Sequence, residues 1–148
     1  QPAQVTMTMR TALASWTIGA TKYYIDSNGV AFQRLYGPEP SLVVEDKTGI
    51  DPANTSAVAS ERMLHFIGRL VALLTQGGYT VERLELPLLT SREIDVYLAG
   101  KSYAIKTSLD RDPAGQAADV VHAVQFLDSK GLRPSYADVR VSSRLYYK

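Results

Sequence analysis

Residues 81–107 read VERLELPLLTSREIDVYLAGKSYAIKT, and the hydrophobic pattern of this stretch decides the fold. Apolar residues alternate with charged or polar residues in two segments, which predicts half-buried strands at residues 81–86 and 94–98. A turn at Ala99-Gly100 then leads into a third strand at residues 101–107. The sequence therefore predicts a sheet that contains at least these three strands.

Two amphipathic helices flank this stretch. Candidate N-caps at residues 54–56 precede a helix predicted at residues 57–76, and Gly77 stops it. Asp112 is a cap followed by a first-turn proline, so a second helix is predicted at residues 113–129. Both helices carry an apolar stripe at spacings of three and four, which indicates one buried face. The stripes are Met63, Phe66, Ile67, Leu70, Val71 and Leu74, and then Ala117, Val120, Val121, Val124 and Leu127.

Shorter β segments lie on both sides of this core. Residues 5–15 are rich in β-branched and polar residues and predict a first strand. Residues 22–25 and 30–32 flank Asn28-Gly29, a pair that favours positive φ angles and predicts a hairpin with a tight type I′ turn. Further short strands are predicted at residues 42–45, 136–141 and 144–148.

The order of helix, glycine and strand occurs twice along the chain, although few residues match between the two copies. The first copy runs from residues 57–76 into residues 79–86, and the second from residues 113–129 into residues 136–141. This order predicts the α+β fold class, with an antiparallel or mixed β-sheet and two main helices packed on one face.

Composition excludes several classes of function. The 148 residues are 45% hydrophobic and 21% charged, as in an ordinary globular domain. A net charge of +1 gives no support for binding to nucleic acid or to an anionic membrane surface. Cysteine is absent, which excludes disulfides, thiolate catalysis and cysteine-based zinc sites. The most apolar run, residues 66–74, is interrupted by Arg69 and is shorter than the roughly 20 residues of a membrane span.

Candidate catalytic residues are few. His65 and His122 lie on different predicted helices among apolar neighbours, which favours a buried or boundary histidine over a catalytic base. The sequence has no nucleophile elbow, zinc-protease motif or phosphate loop, and its carboxylates do not match the calcium loop. We therefore expect no enzymatic activity, no metal site and no cofactor. A hydrolase that uses one of the histidines stays as the alternative from another class.

The C-terminal segment, residues 136–148, carries the sharpest hypothesis from the residues alone. It contains no proline, and it ends in aromatic and apolar residues between Arg144 and Lys148. A final strand often lies at the edge of a sheet, where its unpaired main-chain groups are a template for another strand. Two outcomes carry equal weight: the segment pairs with a partner by strand addition, or it is a central strand of this domain.

Two sequence motifs resemble motifs of the FtsQ/DivIB family of bacterial cell-division proteins. The stretch YYIDSNGVAF at residues 23–32 is similar to the hairpin at which the POTRA domain of that family passes into its β domain. The stretch YADVRV at residues 136–141 is similar to the family's C-terminal strand. The order of helices and strands between the two motifs also resembles that β domain, so the resemblance covers about residues 5–148.

The resemblance implies a division into two parts and a location. Residues 1–20 correspond to the remnant of a POTRA-like domain and its exit strand, and residues 21–148 to the β domain. Members of the family are bitopic membrane proteins, so the resemblance implies that one membrane helix precedes this chain. It also places the domain on the extracytoplasmic (periplasmic) face of the bacterial cell membrane.

The resemblance further implies a non-enzymatic role in assembling the divisome, with FtsB- and FtsL-like proteins as partners. In the family a segment of FtsB adds a strand to the sheet edge. By position, Arg140, Val141 and Ser143 fall where such contacts are made, and Leu145 and Tyr147 extend the set along the strand pattern. Arg140 is expected to bond an acidic group of the partner. The alternative is an unrelated extracytoplasmic adaptor domain that also binds proteins through an edge.

Overall fold

A nine-stranded mixed sheet and two α-helices make up the computed structural model, which describes residues 2–6, 10–90 and 92–148. The helices are α1 (Glu61–Gln76) and α2 (Pro113–Ser129), and one turn of 3-10 helix spans Pro52–Asn54. The strands are β1 (Ala14–Ile18), β2 (Thr21–Ile25), β3 (Ala31–Phe32), β4 (Val43–Asp46), β5 (Val81–Leu86), β6 (Glu93–Leu98), β7 (Ala104–Ser108), β8 (Tyr136–Asp138) and β9 (Tyr146–Tyr147).

The strands follow the spatial order β3-β2-β1-β4-β5-β6-β7-β8-β9. Strand β4 is parallel to β1 and β5, β7 is parallel to β8, and the other neighbours are antiparallel. Helix α1 connects β4 to β5 and helix α2 connects β7 to β8, as parallel neighbours require a crossover. The predicted α+β class, with a mixed sheet and two main helices, is confirmed.

The two faces of the sheet differ in chemistry because side chains alternate along each strand. On the face that the helices cover, six residues in register are fully buried and form the centre of the core. They are Trp16, Val44, Leu84, Val96, Ile105 and Ala137. The neighbouring register row, on the opposite face, is polar throughout: Thr17, Glu45, Glu85, Asp95, Lys106 and Asp138.

The start of α1 differs from the prediction. The helix begins at Glu61 with Ser60 as its N-cap, whose side chain accepts the N–H of Met63, so the caps predicted at residues 54–56 are wrong. Val58 and Ala59 lie just before the helix, and both are buried. Because these two residues pack into the core, this segment does not extend the helix. Helix α2 is confirmed at both ends, and its Asp112 cap accepts the N–H of Gly115.

The hairpin of β2 and β3 is confirmed, but its turn is not of type I′. Ile25 pairs with Ala31, which leaves five residues in the connection, and Asn28 does not adopt a positive φ angle. The Asp26 carboxylate accepts the N–H groups of Asn28 and Val30 and closes the loop instead. Gly29 alone in this turn has a positive φ, of 76°.

The first strand is shorter than predicted. Strand β1 begins at Ala14, which pairs with Ile25, the last residue of β2. The described residues before Ala14, 2–6 and 10–13, have no partner strand because the chain turns at Asp26, so the predicted strand at residues 5–15 is wrong over residues 5–6 and 10–13. Residues 7–9 of that prediction lie outside the described residues. Strand β1 pairs with both β2 and β4, and the assignment of residues 1–20 to the end of a POTRA domain stays a prediction.

Candidate partner-binding edge

Strand β9 lies at one end of the sheet, and among the described residues only β8 pairs with it. Strand β8 is covered on both sides, by β7 and by β9, so the predicted edge is formed by Tyr146–Tyr147 alone. The N–H of Lys148 donates to the Tyr136 carbonyl at 3.4 Å, towards the sheet. Since inward and outward groups alternate along an antiparallel strand, the N–H and C=O of Tyr147 point to the free side.

The prediction of a continuous strand over residues 136–141 is wrong, because β8 ends at Asp138. The N–H of Arg140 donates to the Asp138 carboxylate at 3.0 Å, which turns the chain away from β7. Val141 is exposed, and Ser143 has a positive φ of 57°. Arg140, Val141 and Ser143 therefore lie in the turn between β8 and β9, not on a strand.

Two hydrogen bonds from α2 fix the start of this turn. The Gln116 side chain is fully buried, and its amide donates to the Val139 carbonyl while its oxygen accepts the N–H of Ser108, both at 2.8 Å. The ends of β7 and β8 are thereby joined through one side chain. Asp119, ion-paired with Arg111 at 2.9 Å, also accepts the N–H of Ser143 at 3.3 Å.

Arg140 is held by two carboxylates of the domain itself. Its guanidinium makes two bonds to Asp138, at 2.9 and 2.6 Å, and a third to Glu93 at 2.6 Å. Burial of Asp138 opposes its charged form, but the bonds from Arg140 outweigh this and lower the pKa of Asp138 below its ordinary value. The group predicted to bind an acidic partner thus already fixes β8 to β6.

A cleft of about 340 Å³ opens between α2 and the segment that leads into β9. Its apolar wall includes Phe126, Val139, Leu145 and Tyr147, and the rings of Phe126 and Tyr147 are 6.2 Å apart. Leu145 packs partly buried against the core, whereas Tyr147 is 45% exposed. The structure therefore brings Leu145 and Tyr147 together in the wall of an apolar cleft, next to the edge that β9 forms.

Sequence reasoning missed Gln116, Asp119 and Phe126 as parts of this region. The signal for Gln116 was a polar residue beside the apolar stripe of α2, one position before Ala117. Such a residue is buried only when its amide finds partners. Asp119 and Phe126 gave no signal, because the residues that they contact in this region, Ser143 and Tyr147, come from the C-terminal segment.

The two histidines were expected to be buried or at the boundary of the core, and the structure places both in solvent. His65 and His122 are both exposed, and in the described ranges 2–6, 10–90 and 92–148 no hydrogen bond links either imidazole to another group. His122 lines the cleft together with Asp119 and Ser143. The only bond between those two residues runs from the Ser143 main chain to Asp119, so no oriented nucleophile and base are formed.

The open face of the sheet holds one strongly perturbed carboxyl group. Asp95 lies in register between Glu85 and Lys106, and its Oδ1 is buried without a hydrogen-bond partner in the described part of the chain. Burial first, and then the neighbouring carboxyl of Glu93, raise the pKa of Asp95 to about 8. The folded state therefore holds a proton on Asp95 at neutral pH, where the unfolded state releases it.

Replacing Asp95 with asparagine is expected to flatten the pH dependence of stability. The pKa of Asp95 is higher in the folded state, so its ionisation lowers stability progressively from about pH 4 to about pH 8. We expect the free energy of unfolding of Asp95→Asn to exceed that of the original chain by about 1–2 kcal/mol near pH 8, and the difference to vanish near pH 4. Urea unfolding at several pH values measures this, with exposed Glu82→Gln as control. A constant difference at all pH values would contradict the expectation.

Neither helix among the described residues is long and apolar enough to cross a bilayer. No group of three or more acidic or histidine side chains there is arranged to hold a metal ion.

Comparison with known proteins adds no family. No protein-family model matches the chain, and no curated protein gives a significant match. The α+β fold and the geometry of the β9 edge therefore stand as the structural findings on which a function is proposed.

Proposed function

We propose that this chain is the extracytoplasmic protein-binding domain of a divisome assembly protein similar to FtsQ/DivIB, and that it is not an enzyme. It binds an FtsB- or FtsL-like segment as an additional strand along β9 during bacterial cell division. The observation that carries the proposal is the free side of β9, which presents the main-chain groups of Tyr147. The motifs at residues 23–32 and 136–141 support the choice of family.

The charges at the edge favour an acidic partner over a second copy of this chain. Arg144 and Lys148 flank the two tyrosines of β9. Two copies of β9 paired antiparallel with Tyr146 opposite Tyr146 would place Arg144 of one strand opposite Lys148 of the other, which is destabilising. A partner strand with Asp or Glu at those positions replaces this repulsion with attraction.

The cleft beside the edge gives the added strand a place for an apolar side chain. Alternate residues of a strand paired with β9 project to the side of the sheet that α2 covers. Phe126, Leu145 and Tyr147 meet on that side. Main-chain bonds then supply register, and one apolar side chain in the cleft supplies selectivity.

The test separates the main chain of Tyr147 from its side chain. Tyr147→Pro removes the outward N–H, whereas Tyr147→Val removes only the ring. We expect binding of an FtsB-like strand peptide, measured by isothermal titration calorimetry, to weaken at least tenfold in the proline variant relative to the valine variant. The circular dichroism spectrum of both variants should match the original chain.

Equal affinities of the two variants would contradict strand addition at β9. If the edge binds acidic strand peptides generally but no segment from FtsB- or FtsL-like proteins, the alternative of an unrelated adaptor domain takes the place of the divisome assignment. A pull-down of the membrane-anchored parent protein with its FtsB and FtsL homologues supplies this second readout.

A further inference from the structure

Tyr103 is a buried residue with an unused polar group. The side chain is 3% exposed, and its hydroxyl has no hydrogen-bond partner among the described residues. Burial and the nearby Asp128 carboxylate raise the pKa of the hydroxyl, so it stays protonated and available as a donor. A buried donor without a partner is unfavourable for folding, and a native structure normally supplies one.

A cavity of about 440 Å³ lies beside Tyr103, at the C-terminal end of α2 and the turn between β6 and β7. Leu127 and Leu132 provide an apolar wall, and Lys101 and Arg133 provide two cations. Lys101 is already neutralised by Asp128, with 2.7 Å between the charged atoms. Arg133 has no ion pair within the described ranges, so one positive charge at this cavity is uncompensated.

We propose that this cavity, defined by Lys101, Tyr103, Leu127, Leu132 and Arg133, binds a single carboxylate group carried on a small apolar substituent. A carboxylate accepts one hydrogen bond from the Tyr103 hydroxyl and two parallel hydrogen bonds from the planar guanidinium of Arg133. One uncompensated cation matches a monoanion better than a doubly charged phosphate. The leucine wall accounts for the apolar substituent.

This site is separate from the β9 edge, so its existence does not depend on the proposed function. The cavity is formed by the turn between β6 and β7, the end of α2 and the residues that follow α2, and it shares no lining residue with the cleft beside β9. Ligands at the two sites are therefore expected to bind independently.

The test uses a matched pair of small probes, N-acetyl-leucine and N-acetyl-leucinamide, which differ only in the carboxylate. Titrated into the ¹⁵N-labelled chain, the acid is expected to shift the amide signals around Tyr103 and Arg133 saturably, and the amide to leave them unchanged. Tyr103→Phe and Arg133→Gln should each weaken binding of the acid at least about fivefold. Tyr136→Phe, on the open face, is the control and should bind like the original chain.

Thermal unfolding of Tyr103→Phe tests whether the Tyr103 hydroxyl has a purely structural role. If the hydroxyl is unpaired in the free protein, Tyr103→Phe unfolds at the same or a higher temperature than the original chain. A midpoint lowered by more than about 3 °C means that the hydroxyl already has a structural partner, and overturns the proposal. Equal shifts with the acid and the amide, or unchanged affinity in Tyr103→Phe, overturn it as well.

Discussion

Replacing Gly29 with alanine is expected to lower the free energy of unfolding by about 3 kcal/mol or more. A Cβ at this position would lie 2.0 Å from the carbonyl oxygen of Ala59, a main-chain atom that cannot swing away. The φ angle of 76° adds about 1 kcal/mol for a residue with a side chain. Moving the two segments apart breaks the bond from the Val58 N–H to the Gly29 carbonyl and exposes Val58 and Ala59, at about 1 kcal/mol each.

The matched control is Gly19→Ala in the turn between β1 and β2. Gly19 also has a positive φ, of 60°, but an added Cβ would meet no atom within 4 Å. Gly19→Ala is therefore expected to lower the free energy of unfolding by about 1 kcal/mol, through the backbone conformation alone. Urea unfolding followed by tryptophan fluorescence measures both, because Trp16 is fully buried in the core. Equal losses for the two variants would mean that the hairpin does not touch the segment ahead of α1.

Gln116→Leu is the second substitution with a large expected effect. We expect it to lower the free energy of unfolding by about 3 kcal/mol. Leucine has a similar volume, but it leaves the Ser108 N–H without its acceptor and removes one donor from the buried Val139 carbonyl. A hydrogen-bonding group left unpaired on burial costs about 1–3 kcal/mol, and two such groups are affected. Arg111 also donates to the Val139 carbonyl, at 3.2 Å, which limits the loss at that group.

The consequence reaches the partner-binding edge, because Gln116 ties β7 and β8 together where the chain turns towards β9. We expect Gln116→Leu to weaken hydrogen-exchange protection in β8 and β9 more than in β5. Gln125→Leu, on the exposed side of the same helix, is the control and should stay within about 0.5 kcal/mol of the original chain. A stability like that of the control would show that the buried amide contributes nothing to the fold.

The elements that were predicted correctly have patterns that are complete within a few residues of sequence. Strand β5 was predicted with its observed bounds, because Leu84 and Leu86 alternate with charged residues. Helix α2 was predicted at both ends, because its cap, first-turn proline and closing glycine all act within the helix itself. Such local signals need no knowledge of what lies across the sheet.

The errors occurred where a distant residue decides the local structure. Ser56 has the chemistry of a helix cap, but contact with the β2–β3 hairpin buries Val58 and Ala59 and delays α1 until Ser60. Residues 136–141 alternate like a strand throughout, but β8 ends after three residues, where Gln116 of α2 binds the Val139 carbonyl. The β2–β3 hairpin and Gln116 are both far in sequence from the segments that they affect.

The sequence by itself determined the α+β class, the two helices and most strands, because hydrophobic periodicity and capping are properties of neighbouring residues. It left open whether the C-terminal segment is central or at an edge. Only the tertiary structure decided this: β9 folds back on β8 and becomes the outer strand, with the main-chain N–H and C=O of Tyr147 facing outward. The physical reason is that strand order depends on pairing between segments far apart in the chain, and an alternating pattern is compatible with one neighbour or with two.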